Sequence, residues 1–168
     1  AALVRPFGGW LADRQGGAHI TFWCFVVMTL ASLMAMLCLP STDGGGSMIG
    51  FVLTFLVLFL AAGIGNGSTF RMIPTLFRTL REREVRDPND VAALDQARRT
   101  ATTEAAATLG LSSALGTLGG FFIPIAYGTS VGLTGSFQAA LLFFSLFYIS
   151  CLWITWRWYA SQQAAVPC

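Results

Sequence analysis

The sequence predicts an all-α transmembrane protein, and three observations lead to that prediction. Of the 168 residues, 55% are hydrophobic and only 11% are charged, and the mean hydropathy is +0.66. A soluble domain carries about a quarter charged residues, so this chain has too few ionic groups to cover a water-facing surface. The apolar residues are also gathered in long uncharged runs. A helix that crosses a bilayer needs about 20 such residues and satisfies its own backbone hydrogen bonds.

Four runs reach that length, and the predicted membrane spans are 19–40, 48–78, 104–131 and 135–157. Residues 1–11 supply about half of a span, so we expect a helix stump there, with the missing protein upstream. The longest connection, 79–103, mixes arginines with carboxylates and is predicted to be a solvated, partly helical loop. A regulatory or lipid-binding role is the alternative interpretation of this loop.

The distribution of arginine predicts the orientation of the chain. Arginines lie in the turn at Arg14, in the loop 79–103 and at Arg157 before the tail. The connections 41–47 and 132–135 contain no Lys or Arg. The positive-inside rule then places the loop 79–103 and the C-terminus in the cytoplasm. We expect an integral protein of a bacterial plasma (inner) membrane, with the lipid bilayer around it.

Composition and spacing also exclude several classes of function. The formal net charge is only +2, so we predict no binding to nucleic acid. The four cysteines show no C-x-x-C spacing, and the sequence contains no catalytic triad and no phosphate-binding loop. We therefore predict no metal site, no cofactor and no enzymatic activity.

An arginine near the membrane midplane is the strongest candidate for a functional residue. Arg5 lies eight positions before Asp13, or roughly 12 Å from the interface along a helix. Burying a charge at that depth is costly, so such residues usually serve a function. A guanidinium group donates paired hydrogen bonds to a planar oxyanion and stays charged. We therefore predict that Arg5 binds an anionic substrate.

Three further polar residues lie within or near the spans. Counted from the helix ends, Asn66 and Ser113 reach about the depth of Arg5, so the three can converge at one depth, although the sequence does not show that they face one another. Arg71 lies nearer the cytoplasmic end of its span. We expect Arg71 either to reach the membrane surface or to pair with a loop carboxylate.

Small residues recur four positions apart in two of the spans. Gly63 and Gly67 form one such pair, and Ser112, Gly116 and Gly120 form the other set. Faces of this kind let helix backbones approach closely, so we predict helix packing at Gly63, Gly67, Ser112 and Gly120. The alternative is that the missing side chains leave a narrow cavity for a small ligand.

The segment Gly9-Trp10-Leu11-Ala12-Asp13-Arg14-Gln15-Gly16 resembles the cytoplasmic loop motif of the major facilitator superfamily, whose second copy joins helices 8 and 9. The resemblance identifies Gly9, Asp13, Arg14 and Gly16 as the motif residues that take part in conformational change. Gly17-Ala18 replaces the basic pair that often follows. On this mapping, residues 1–168 form a partial C-terminal transmembrane domain, from the end of helix 8 through helix 12.

Three segments are similar to the nitrate/nitrite porter family of the NarK type. They are Arg-x-x-Gly-Gly at 5–9, Gly-x-Gly-x-Gly-Ser-Thr-Phe at 63–70, and the glycine-rich stretch 110–120 followed by Phe-Phe-Ile-Pro. They occur in the expected order, and the resemblance covers essentially the whole chain. It implies a pocket between two six-helix halves, with one arginine from each half holding the anion.

The resemblance assigns residues to that pocket. Arg5 matches the arginine of the C-terminal half, while Ser113 and the neighbouring Gly110 and Gly116 match the signature helix that lines the pocket. The missing N-terminal half would supply the second arginine. Nitrate or nitrite would cross by alternating access. Exchange is favoured over proton symport because the spans contain no Asp or Glu deep in the membrane. The alternatives are a porter for another small or organic anion, or a non-transporting membrane anchor or sensor.

Overall fold

The computed structural model describes residues 2–39, 46–87 and 89–160. Within these ranges the backbone is helical apart from short connections, and no strand occurs. The helices are α1 (Arg5–Gln15), α2 (Gly17–Leu37), α3 (Met48–Glu84), α4 (Val91–Thr134) and α5 (Gln138–Thr155). A 3-10 turn at Ala2–Val4 precedes α1, and a π-helical turn at Trp156–Ala160 follows α5. The predicted all-α fold is confirmed.

Four helices in the described ranges are long and apolar enough to cross a membrane. They are Gly17–Leu37, Met48–Glu84, Val91–Thr134 and Gln138–Tyr159. Their number agrees with the four predicted spans. Most of the connection 41–47 and the tail beyond residue 160, including the C-terminus predicted to be cytoplasmic, lie outside the described residues.

Two helices extend well beyond the thickness of a bilayer. The 37 residues of α3 and the 44 residues of α4 correspond to roughly 55 and 66 Å, against about 30 Å of hydrocarbon. The predicted loop 79–103 is therefore mostly helical, and only residues 85–90 connect α3 to α4. Asp90 begins α4 by accepting hydrogen bonds from the backbone N–H groups of Ala92 and Ala93.

Helix α2 lies at the centre of the packing and contacts α1, α3 and α5. Its interface with α5 is built from small residues and hydroxyl groups. The Ser145 hydroxyl donates to the Ser32 hydroxyl at 2.9 Å, and Ser32 donates to the carbonyl of Leu141 at 3.3 Å. All three residues are buried. Such hydrogen bonds join helices where apolar side chains gain little by leaving lipid.

Hydroxyl groups also join α2 to α3. Ser68, which is fully buried, donates to the carbonyl of Gly17 at 2.8 Å, and its oxygen lies 3.0 Å from the hydroxyl of Thr21. Gly17 itself packs against Met72, because a Cβ there would lie 2.8 Å from the Met72 Cβ. The α2–α3 contact thus combines close backbone approach with internal hydrogen bonds.

The middle of α4 stands clear of the other described helices. Residues 110–125 are all exposed, and a Cβ added at Gly110, Gly116 or Gly120 would meet nothing within 4 Å. Ser112 is therefore exposed, and Gly120 has no neighbour within reach of an added Cβ, among the residues that the structure describes. The packing role assigned to them stays a prediction about contacts outside this chain.

Candidate functional site

Two glycines set the distance between α1 and α3. A Cβ at Gly8 would collide with the backbone carbonyl of Ile64, and a Cβ at Gly67 would collide with the backbone carbonyl of Arg5. Both glycines are buried. Because no larger residue fits at either point, the two helices touch through their backbones. This crossing fixes the main chain of Arg5 against the turn of α3 that carries Asn66.

Beside this crossing lies a cavity of about 570 Å³ between α1 and α3. Its walls carry two arginines, one carboxylate and one amide. The lining residues are Arg5, Pro6, Gly9, Trp10, Asp13, Asn66, Gly67, Phe70 and Arg71. Arg5 and Asn66, which were predicted to lie at one depth, thus border the same space. With Arg71 beside them, the cavity contains more positive than negative charge and suits a small anion.

Asn66 has an unfulfilled hydrogen-bonding capacity. Its Oδ1 is buried and finds no hydrogen-bond partner among the described residues. Leaving such an atom unpaired costs about 1–3 kcal/mol. Asn66 also borders a second cavity, of about 260 Å³, which Thr21 and Cys24 line from α2. The Oδ1 of Asn66 is therefore placed to accept a hydrogen bond from a small polar group.

Arg71 pairs with the carboxylate of the loop motif. Its Nε donates to both oxygens of Asp13, at 2.8 and 3.1 Å. Pairing with a loop carboxylate was one of the two alternatives predicted for Arg71. This hydrogen bond, reinforced by the charge of the guanidinium, holds the pKa of Asp13 below its ordinary value of 3.8. Asp13 therefore remains a carboxylate at neutral pH.

The other residues of the loop motif shape the corner between α1 and α2. Gly16 adopts a positive φ of 87°, which favours glycine, and its N–H donates to the carbonyl of Ala12 at 3.0 Å. The guanidinium of Arg14 lies 4.2 Å from the centre of the Trp10 ring. A Cβ at Gly9 would lie 3.8 Å from the Gly67 carbonyl oxygen, an ordinary contact. The conformational role of the motif stays a prediction.

The structure does not bring Ser113, Gly110 or Gly116 to this cavity. All three lie on the exposed middle of α4, and α4 makes no contact with α1 in the described part of the chain. A shared depth with Arg5 therefore does not bring Ser113 into contact with Arg5 among the described residues. Counting residues gives a depth along a helix, but it does not give the rotation of the helix or its neighbours.

Two residues of this site were not predicted from the sequence to belong to it. Gly8 sits at the helix crossing, and Arg71 lines the cavity and holds Asp13. A signal for Gly8 was present, because Gly8 and Ala12 are four residues apart and are the buried residues of α1. That is the small-residue spacing typical of helix crossings in membranes.

Several curated proteins are similar to nearly the whole chain. The nitrate/nitrite transporter NarU of Salmonella typhimurium is 45% identical over 96% of this chain, and NarU of Escherichia coli is 42% identical over the same share. The probable nitrate/nitrite antiporter NarK1 of Thermus thermophilus is 31% identical over 93% of it. No model of a known protein family matches.

The matches cover only part of each relative. The chain corresponds to 34% of the length of both NarU proteins and to 32% of NarK1, so it spans about one third of these relatives. The relatives are named as transporters rather than enzymes. Together with the four long apolar helices, they show that the chain is an integral membrane protein.

Proposed function

The chain belongs to the NarK type of the major facilitator superfamily, and from this premise we propose that the protein containing it carries nitrate, nitrite or both across the membrane. In this proposal the chain supplies the C-terminal part of the transporter, and the remaining two thirds supply the opposite half and the first helices of this one. The protein lies in a bacterial inner membrane, with the connection between α3 and α4 on the cytoplasmic side.

The cavity between α1 and α3 is the observation that carries the proposal. Arg5 borders it from a position expected near the bilayer midplane, and Asn66 faces it from the adjacent helix. The guanidinium of Arg5 would donate to two oxygens of the planar anion. The amide of Asn66 would donate to an oxygen from the side. A fixed positive charge in a low-dielectric site attracts an anion without needing a titrating group.

The open face of α4 completes the proposed pocket. Gly110, Ser113 and Gly116 lie on a stretch where no described residue covers the backbone. We assign this face to contact with the other half of the transporter, where small residues let a helix approach closely. Rocking of the two halves about the bound anion would open the pocket to each side of the membrane in turn.

Exchange of one anion for another is the favoured mode of transport. The predicted spans contain no Asp or Glu apart from Glu104 at a boundary, so this part of the protein offers no carboxylate for proton symport. A bound anion that neutralises Arg5 would permit the return step, which is the behaviour expected of an exchanger. The Thermus relative is itself named an antiporter.

Uptake of nitrate into proteoliposomes tests the proposal, using the full-length transporter that contains this chain. We expect Arg5→Lys and Arg5→Gln to lower uptake by at least about tenfold, since a charged hydrogen bond contributes about 1.5–3 kcal/mol. Arg83→Lys, at an exposed position in the last turn of α3, serves as the matched control. Undiminished uptake by Arg5→Lys would remove Arg5 from the site.

Loading the vesicles separates the modes of transport. Uptake of nitrate that depends on internal nitrite supports exchange, whereas uptake driven by a proton gradient into empty vesicles contradicts it. Competition by formate or bicarbonate at equal strength would favour a porter for another small anion. A protein without flux or nitrate-induced stabilisation would be an anchor or sensor.

A further inference from the structure

A second groove, of about 420 Å³, lies where α3 and α4 leave the predicted membrane. Two arginines line one end of the groove, and mostly apolar residues line the rest. The lining residues are Pro74, Arg78, Arg98, Ala101, Thr102, Ala105, Ala106 and Leu109. Arg78 ends the predicted span of α3, and Arg98 precedes that of α4 by six residues. The charged end of the groove is therefore expected at the level of the lipid headgroups.

One carboxylate holds the two arginines side by side. The Nε atoms of Arg78 and Arg98 donate to the same oxygen of Glu82, at 3.0 and 2.8 Å. This arrangement leaves the Nη groups of both arginines without a side-chain acceptor among the described residues. The three groups together carry one net positive charge. Glu82 thus spaces the guanidinium groups without neutralising both of them.

The apolar part of the groove runs along one face of α4. Ala101, Ala105 and Leu109 recur every four residues; Ala101 and Ala105, only 2% and 3% exposed, form the closed floor of the groove, and Thr102 and Ala106 are exposed beside them. From Arg98 to Leu109 the helix rises by roughly 16 Å, in the direction of the bilayer centre. Pro74 closes the opposite side from α3. Small side chains therefore form a trough that leads from the charged end into the hydrocarbon region.

We propose that this groove binds an anionic phospholipid. Its phosphate lies between Arg78 and Arg98, and one acyl chain follows the alanine trough towards Leu109. Guanidinium groups suit phosphate because their N–H groups match its oxygens in pairs. A basic pocket between transmembrane helices at the membrane surface is a recurrent form of lipid headgroup site. A soluble phosphate would use the arginines and leave the apolar trough unoccupied.

Native mass spectrometry of the purified, delipidated full-length protein tests this assignment, with phosphatidylglycerol as the probe and phosphatidylcholine as the uncharged comparison. The double variant Arg78→Gln/Arg98→Gln should retain about thirtyfold less phosphatidylglycerol than the unchanged protein, since each of the two arginines contributes on the order of 1 kcal/mol. The matched control is Arg83→Gln/Arg99→Gln, which removes the same charge from two exposed positions outside the groove. It should retain phosphatidylglycerol normally.

A second pair of variants tests the trough and leaves the arginines intact. Ala106→Phe places a ring in the groove and should weaken retention of phosphatidylglycerol, whereas Ala107→Phe, on the exposed position next to it, should not. Equal retention by both double variants would overturn the proposal. So would displacement of the lipid by equimolar glycerol 3-phosphate, because that result assigns the site to a soluble phosphate. Retention of phosphatidylcholine as strong as that of phosphatidylglycerol would also contradict it.

Discussion

The Nε of Arg71 donates to both carboxylate oxygens of Asp13, 58 residues away in the sequence, and so attaches the loop motif to α3. Both residues also line the cavity that Arg5 and Asn66 border. Both side chains are about half exposed or more, at 63% for Arg71 and 48% for Asp13. Solvent therefore screens the attraction between the two charges, so the strength of the contact depends more on its hydrogen-bond geometry than on charge alone.

A double-mutant cycle measures this pair. Asp13→Asn and Arg71→Gln should each lower the unfolding temperature of the purified full-length transporter, and the double variant should lose less than the sum of the two. The coupling should shrink as salt is added, because the pair is exposed. Additive losses at low salt would show that the contact contributes nothing to stability.

The pH dependence of the same pair follows from the lowered pKa of Asp13. A carboxyl whose pKa is lower in the folded state contributes stability above its ordinary value of 3.8, and that contribution disappears as the pH falls through the lowered value. Asp13→Asn should therefore destabilise the protein equally at about pH 6 and about pH 8. If Asp13→Asn lowers the stability by different amounts at the two pH values, another titrating group controls the contact. Thermal unfolding at both values provides the measurement.

The crossing of α1 and α3 should not tolerate a methyl group at Gly8. We expect Gly8→Ala to destabilise the protein by about 1–3 kcal/mol, because the new Cβ meets the rigid backbone of Ile64 rather than a mobile side chain. Gly9→Ala is the control, since its Cβ would lie 3.8 Å from the nearest heavy atom, the carbonyl oxygen of Gly67. Thermal unfolding in detergent compares the two. Equal effects would mean that helix propensity, not the collision, determines the loss.

Removing the buried hydroxyl of Ser68 should weaken the α2–α3 contact. Ser68→Ala deletes the hydrogen bond to the Gly17 carbonyl and the contact with Thr21, at an expected cost of about 1 kcal/mol. Ser150→Ala is the control, because Ser150 is exposed and its hydroxyl bonds within its own helix, to Phe147. If both variants unfold at the same temperature, the buried hydrogen bonds contribute no more than an exposed one.

The open face of α4 should matter only in the complete transporter. Gly116→Leu adds a side chain where the described chain offers no neighbour within 4 Å, so the helical content of this chain expressed alone should not change. In the full-length protein we expect the same substitution to lower nitrate uptake at least about tenfold, by separating the two halves. Gly132→Leu, near the end of the same helix and also open, is the control. Normal uptake by Gly116→Leu would remove this face from the pocket.

Residue counting predicted part of the site because depth along a helix depends only on rise. That reasoning placed Arg5 and Asn66 at one level, and the two border one cavity. It did not give the neighbours of Ser113, because the rotation of α4 and its position beside α3 depend on long-range packing. Hydropathy succeeded for the fold, since lipid permits few backbone structures other than helices.

The spacing of small residues likewise predicted the packing of some glycines and not the partners of others. The spacing of Gly63 and Gly67 marked a helix face, and Gly67 does meet the backbone of Arg5. The same four-residue spacing links Ser112, Gly116 and Gly120, yet all three are exposed in the described chain, and a Cβ at Gly116 or Gly120 would meet nothing within 4 Å. The partner of a small-residue face is a property of the whole assembly, so a local pattern cannot name it.

The backbone crossing at Gly8 and Gly67, with the hydroxyl contacts of Ser68, has a consequence for the transport cycle. Helices joined so closely are expected to move as one rigid body, so the separation of Arg5 and Asn66 should be the same in the outward-facing and inward-facing states. The affinity of these two groups for the anion would then be equal on both sides of the membrane. Any difference between uptake and release must come from groups on other helices, which approach or leave the anion as the protein rocks.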